Sequence, residues 1–166
     1  MSLKKTSEII AVGFSTTELA ANTFVQSSVD LQLNPLDQEV FVVVAVDLDP
    51  AVPDAVPGQN TQIAMSMSST SRTAFGNLND TNVLANNVID IRTDGANHVA
   101  ITRTSLDTPP ASLGYIGIIS TSNFFVQLVG TNNLAAKTSF GRAWGYRARL
   151  DAAGYAALVQ SQVLTQ

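Results

Sequence analysis

One run of residues constrains the fold more than any other part of the sequence. It lies between Pro35 and Pro50 and reads EVFVVVAVDLD over residues 39–49. Residues 40–46 are seven consecutive apolar residues, and five of them are valine. A strand with one wet face would alternate apolar and polar residues, so both faces of this strand must be covered by other parts of the protein. The run therefore predicts a central strand of a packed sandwich or barrel.

Further strand-like segments follow one another about every ten residues, with turn residues between them. They number about eight, which favours an all-β sandwich or barrel over an α/β fold. Segment 23–34 is expected to pair with the central strand. With the central run 39–49 included, the segments are 10–14, 23–34, 39–49, 62–73, 83–92, 97–105, 113–120, 124–130 and 142–150.

Three local patterns refine this outline. Glu18 completes a capping box that begins at Ser15, which predicts a single helical turn over 19–22. A three-residue turn around Gly95 would join 83–92 to 97–105 as a hairpin, with Asp90 opposite His98. Asp151 is a candidate N-cap of a short C-terminal helix or ordered tail, whose apolar spacing is Tyr155, Leu158, Val159 and Val163.

Composition points to assembly. Charged residues make up 13% of the chain, about half the usual share of roughly 25%. Ser, Thr, Asn and Gln together account for about a third of the chain. Desolvating an amide or a hydroxyl costs less than desolvating a charge, so such a surface suits contact with other proteins. The net charge of −4 argues against broad electrostatic binding of nucleic acid.

The sequence contains no catalytic signature, and we expect no enzyme activity. His98 is the only histidine, and a catalytic imidazole needs an orienting partner and a nucleophile. Asp90 could orient it, with Ser105 or Ser120 as distant nucleophiles. The favoured interpretation is a polar cross-strand pair on a wet face.

A metal site is a second candidate. Asp47, Asp49 and Asp54 lie close together in sequence near the end of the central strand, and Ca²⁺ needs six to eight oxygen ligands at once. No loop has the spacing of a calcium motif, so solvated loop carboxylates are favoured. We expect no cofactor.

One basic and aromatic cluster occupies 142–149. Strand alternation places Trp144 and Tyr146 on one face, and Arg147 and Arg149 on the other. Binding of nucleic acid would need the rings and arginines on one accessible face. The arginines are therefore expected to pair with carboxylates, and the rings to fill core or interface volume. In an alternative interpretation, the two rings bind a sugar.

The segment from Pro50 to Pro57 is a loop stiffened by three prolines, which fix φ and remove backbone donors. Stiff loops lose less entropy on docking. We therefore expect assembly contacts at Pro50, Pro53 and Pro57. The tail residues Tyr155, Leu158, Val159 and Val163 are expected to clasp a neighbour, so that a chain truncated from Gly154 would fold but not oligomerise.

The short basic start, the strand run through 40–46 and the Pro-rich loop at 50–57 together resemble the small single jelly-roll coat proteins of icosahedral viruses. Among these the chain is most similar to the short major capsid proteins of membrane-containing double-stranded DNA viruses. The resemblance implies an eight-stranded antiparallel jelly-roll sandwich with a C-terminal helix or tail. It also implies a structural role in the virion capsid, above an underlying viral membrane.

In this view residues 1–166 form one domain, with an N-terminal arm at 1–8 and a C-terminal tail at 151–166. The partners would be copies of the chain or a sister capsid protein. Lys4 and Lys5 are too few to neutralise packaged nucleic acid, so no direct contact with the genome is expected. No small-molecule substrate is expected either. The alternative function is a receptor- or carbohydrate-binding β-sandwich, such as a spike head or binding module.

Overall fold

The computed structural model describes residues 2–104 and 113–164. These residues form two five-stranded antiparallel sheets, a short 3-10 turn at Pro35–Asp37 and a C-terminal helix. The strands are β1 (Leu3–Lys5), β2 (Ile10–Thr17), β3 (Val25–Asp30), β4 (Glu39–Asp49), β5 (Thr61–Ser68), β6 (Val83–Thr93), β7 (His98–Thr104), β8 (Gly117–Ile119), β9 (Asn123–Thr131) and β10 (Thr138–Leu150), and the helix is α1 (Ala152–Leu164).

The first sheet has the order β1-β10-β4-β8, with β2 also paired to β10, and the second has the order β3-β9-β5-β6-β7. From β2 to β5, and again from β8 to β10, each connection carries the chain to the opposite sheet. Strands from the two ends of the chain are thereby paired, β2 with β10 and β3 with β9. Eight of the ten strands, all except β1 and β7, have the arrangement of a jelly roll. The expected all-β jelly-roll sandwich with a short C-terminal helix is confirmed.

β4 is the central strand that residues 40–46 predict. Phe41 and Val43 are fully buried in the core between the sheets, whereas Val40 and Val42 are fully buried in a second cluster on the outer face of the first sheet. The bulge opposite Trp144 and Gly145 changes the register of β4 against β10. Both faces of β4 are covered along residues 40–43, which is why the apolar run does not alternate there.

The predicted pairing of segment 23–34 with the central strand is wrong. β3 pairs with β9 in the second sheet, and β4 lies in the first. The chain turns at Gln32, whose φ is +51°. Leu31 and Leu33 then fill the core while the chain crosses between the sheets.

The hairpin of β6 and β7 is confirmed, but its predicted register is wrong. The carboxylate of Asp94 accepts hydrogen bonds from the N–H groups of Ala96 and Asn97, which stabilises a four-residue turn. His98 therefore lies opposite Thr93. Gly95 has the expected positive φ, +99°.

Asp151 caps α1 as expected, since its carboxylate accepts a hydrogen bond from the Gly154 N–H at 2.8 Å. The helical turn expected after Ser15 is absent, because β2 continues to Thr17 and the Glu18 side chain is used elsewhere. None of the helical segments in the described parts of the chain is long and apolar enough to cross a membrane.

Candidate assembly surfaces

The candidate catalytic residues do not come together. His98 is exposed at the start of β7, and Asp90 instead accepts hydrogen bonds from Gln62 at 2.6 Å and Arg103 at 3.1 Å. Ser120 is buried and donates its hydroxyl hydrogen to Gln162 at 2.7 Å. Ser105, the other nucleophile candidate, lies outside the described residues.

The three candidate calcium ligands do not form one site. Asp47 and Asp49 are exposed on the outer face of the first sheet, beside β10. Asp54 lies in the Pro-rich loop, where its carboxylate binds the Lys137 ammonium at 2.5 Å. Within 2–104 and 113–164, no group of three acidic, histidine or cysteine residues could hold a metal ion.

Asp54 belongs to a set of polar contacts that joins three loops at one end of the sandwich, residues 18–24, 50–60 and 132–137. Its carboxylate also accepts the Leu134 N–H at 2.9 Å, while its own N–H donates to the Asn133 side chain at 2.9 Å. The hydrogen bond from Lys137, followed by that from Leu134, holds the pKa of Asp54 below its usual value. These contacts fix the Pro-rich loop to the loop before β10.

Glu18 fixes the loop after β2 in the same way. Its side chain is buried, and its two carboxylate oxygens accept the N–H groups of Gly130 at 2.8 Å and Lys137 at 3.0 Å. Asn22 adds two hydrogen bonds with the backbone of Asn133, at 2.7 and 2.9 Å. A buried carboxylate with both oxygens satisfied rigidifies its surroundings. The sequence offered only the capping-box pattern at this position.

The three loops bury polar atoms and expose apolar side chains. Leu19 is 91% exposed, Val52 is 68% exposed and Leu134 is 76% exposed. We call these three residues the loop-end surface. Each lies within two residues of Glu18, Asp54 or Asn133, whose hydrogen bonds tie the loops together. Large apolar side chains exposed on fixed loops at one end of the sandwich are candidates for a protein contact.

Of the predicted interface prolines, Pro50 and Pro53 are buried in the fold of the chain itself and Pro57 is exposed. The first two prolines therefore shape the loop that carries Val52. Contact of the three prolines with a neighbouring subunit stays a prediction.

The predicted clasping tail is the helix α1, which packs on the first sheet of its own chain. Tyr155 and Leu158 pack against the cluster of Val40, Val42 and Ala148 on the outer face of that sheet. A cavity of about 370 Å³ lies beside the helix and is lined by Leu33, Pro35, Ser120, Thr121, Ser122, Asn123, Tyr155 and Val159. Val163 is exposed near the helix end. Contact of these residues with a neighbouring subunit stays a prediction.

Residues 69–82 cover part of the outer face of the second sheet, over β5 and β9. Gln127, on β9, is fully buried there and donates to the hydroxyl oxygen of Ser68 at 2.8 Å. Ser66 donates to Gln127 at 2.8 Å and accepts the N–H of Gly76 at 3.0 Å. A side-chain network thus holds the loop on the sheet.

The other half of the outer face of the first sheet is open. A shallow groove of about 280 Å³ lies there, and Arg142 stands over the ring of Trp144, 5.8 Å from its centroid. The groove is lined by Asp47, Asp49, Phe140, Gly141, Arg142 and Trp144. Tyr146 lies on the same face but packs into the cluster under α1. Of the two rings proposed for sugar binding, Trp144 therefore lines the groove and Tyr146 does not, and Phe140 is the second ring of the groove.

The arginines after Trp144 pair with carboxylates, as the alternation predicts. Arg147 binds Glu39 at 3.3 Å and donates to the Leu31 carbonyl oxygen at 2.9 Å, and Arg149 binds Asp37 at 3.2 Å. Both arginines are used within the chain.

Comparison with known proteins does not assign the chain to a family. No protein-family model matches the chain, and no curated protein matches it. Among solved structures, a chain of Desmodium yellow mottle tymovirus is similar at 12% sequence identity and a TM-score of 0.34, with 86% of each chain covered. This likeness is too distant to carry a conclusion about function.

Proposed function

We propose that the chain is a structural subunit of a virion capsid, which assembles with copies of itself or with a sister capsid protein. The observation that carries this proposal is the loop-end surface, Leu19, Val52 and Leu134. Burying a large aliphatic side chain contributes about 1.5–3 kcal/mol. The hydrogen bonds of Glu18 and Asp54 fix the loops before docking, so little loop entropy is lost on association.

Two further observations support the proposal. The jelly roll is an architecture of viral capsid and lectin domains and of cupins. The neutral polar surface is suited to extensive contact with other proteins. Among capsid proteins, we propose that this chain is one of the small single jelly-roll major capsid proteins of membrane-containing double-stranded DNA viruses.

We propose a shell that does not touch the genome. The N-terminal segment would have to supply the basic contacts, and its Lys5 is already bound to Glu8 at 3.2 Å and lies 5.3 Å from the centroid of the Tyr146 ring. Residues 3–5 form a strand against β10. Lys4 is then the remaining basic side chain of residues 2–8, in a protein whose net charge is −4.

Light scattering on the size-exclusion peak of the purified protein, with negative-stain images of the same fraction, tests assembly. Rings, capsomers or shells whose amount rises with concentration are the expected result. A monomer at every concentration, both alone and with the other virion proteins, would contradict the proposal.

A second candidate function is binding of a carbohydrate receptor, which the open groove on the first sheet favours. Phe140 and Trp144 are rings on which a sugar can stack, and Asp47 is an acceptor for its hydroxyl groups. This candidate predicts binding on a glycan array that is lost in Trp144→Ala and retained in Tyr155→Phe. Equal glycan binding by the wild type and Trp144→Ala would exclude the groove as the site.

A further inference from the structure

The edge strands β8 and β7 differ in whether the backbone groups on their outer sides are hydrogen-bonded within the chain. β8 closes the first sheet, and its outer side is occupied by one side chain of α1. The Gln162 amide donates to the Ile118 carbonyl oxygen at 2.7 Å and accepts the N–H of Ser120 at 2.9 Å. The amide group thus makes the two hydrogen bonds that a neighbouring strand would make. This edge is closed to pairing.

β7 closes the second sheet and is longer, at seven residues. The Asp94 N–H donates to the Asn97 carbonyl oxygen at 3.3 Å, which makes these two residues a hydrogen-bonded pair. Hydrogen-bonded pairs recur at every second residue of an antiparallel ladder. Val99 and Ile101 therefore direct their backbone groups toward β6, while His98, Ala100 and Thr102 direct theirs away from it.

No strand within the described ranges, 2–104 and 113–164, pairs with the outer side of β7. Natural proteins commonly protect such an edge with lysine, proline or a bulge. β7 contains neither lysine nor proline. Its one charged side chain, Arg103, is bound to Asp90 at 2.9 Å on the outer face of the sheet.

We propose that β7 pairs with β7 of a second copy of this chain, antiparallel and centred on Ala100. In this register Ala100 lies opposite Ala100, and His98 lies opposite Thr102. These residues have backbone groups directed toward the open side, so each opposed pair exchanges two hydrogen bonds. The two five-stranded sheets become one ten-stranded sheet across a twofold axis.

The side chains are complementary in the same register. Val99 and Ile101 are both exposed and lie on the outer face. They come directly opposite each other in two symmetric non-hydrogen-bonded pairs, in which side chains approach most closely. No like charges are opposed. A second copy therefore covers the apolar residues of the strand as well as its backbone groups.

The most direct test uses a single cysteine, since the chain has none. In Ala100→Cys the two cysteines face each other across the axis at about 5.5 Å between Cα atoms, within the range that a disulfide spans. Mild oxidation should give a covalent dimer. The matched control is Ser28→Cys, an exposed position on β3, the opposite edge strand of the same sheet. Equal cross-linking of the two variants, or none in Ala100→Cys, would overturn the proposal.

A second variant tests the backbone pairing. Ala100→Pro removes an N–H that points away from β6, so the ladder within the chain is kept. Sedimentation velocity should show dimerisation weakened by about tenfold or more, whereas Ala100→Ser should keep it. Unchanged dimerisation in Ala100→Pro, with a native circular dichroism spectrum, would overturn the proposal.

This contact lies on a surface other than the loop end and does not depend on the capsid function. Leu134→Asp should therefore leave the Ala100→Cys cross-link intact. If the protein forms the dimer but no larger assembly, the capsid proposal alone fails. If larger assemblies persist in Ala100→Pro at wild-type yield and no cross-link forms, the strand pairing alone fails.

Discussion

The loop end and the outer face under α1 use apolar residues in opposite ways. Under the helix, Val40 and Val42 are fully buried, and the chain supplies Tyr155 and Leu158 to cover them. At the loop end the buried groups are polar, Glu18 foremost, and large apolar side chains such as Leu134 face solvent. The first surface is completed by the chain itself. The second is rigid but apolar, which is the combination that a partner can complete.

Removing the helix should have the largest effect on stability. Deleting residues from Gly154 onward uncovers Val40, Val42 and Leu150, and we expect it to lower the free energy of unfolding by about 3–5 kcal/mol. This expectation replaces that of a freely folding truncated chain. Urea unfolding measures the change. A deletion from Val163 onward keeps Tyr155, Leu158 and Gln162, and is the control. Equal stability of the two truncated chains would mean that the helix does not complete the sheet.

Glu18→Gln should have the next largest effect. Both carboxylate oxygens accept backbone N–H groups, from Gly130 and Lys137, and an amide can replace only one of these acceptors. An unsatisfied buried donor costs about 1–3 kcal/mol. Glu8→Gln, at a position whose side chain is 94% exposed, is the matched control. We also expect faster hydrogen exchange at Gly130 and Lys137. Unchanged exchange would show that Glu18 does not hold the loops.

Asp54→Asn should have a smaller effect that depends on pH. The pKa of Asp54 is lowered in the folded protein, first by Lys137 and then by the Leu134 N–H. The ionised carboxylate therefore stabilises the fold above its ordinary pKa of 3.8, and this stabilisation is lost as the pH falls through the lowered folded value. The difference in unfolding free energy between wild type and variant should be constant from pH 7 to 5 and shrink below about pH 4. A difference independent of pH would show that the charge of Asp54 does not stabilise the fold.

The sequence carries the outline of the fold because the signals are local and strong. Residues 40–46 have too many apolar side chains in a row for one wet face, so β4 could be placed in the centre of a sheet. The C-terminal helix follows from the N-cap at Asp151 and the spacing of Tyr155, Leu158 and Val159. The bounds of the shorter strands shift by several residues, as β8 shows, since turn residues alone do not set them.

The rest depends on contacts between distant residues. Glu18 resembles a capping residue in sequence, but the N–H groups that it binds belong to residues more than 110 positions away. The register of the β6–β7 hairpin depends on one side chain, Asp94, bonding inside its own turn. Gln162 looks like a solvent-facing residue of a helix until β8 is placed beside it. None of these contacts has a periodic signature, so pattern reasoning could not find them.

The most direct test of the central claim compares Leu134→Asp with Leu36→Asp. Leu36 is 92% exposed, on the turn before β4 at the opposite end of the sandwich, so the two variants make the same chemical change at two largely exposed sites. Neither should alter the free energy of unfolding by more than about 0.5 kcal/mol. Light scattering with negative-stain imaging should show that Leu134→Asp loses the large assemblies and Leu36→Asp keeps them. Wild-type assembly in Leu134→Asp, or equal loss in both variants, would contradict assembly through the loop end.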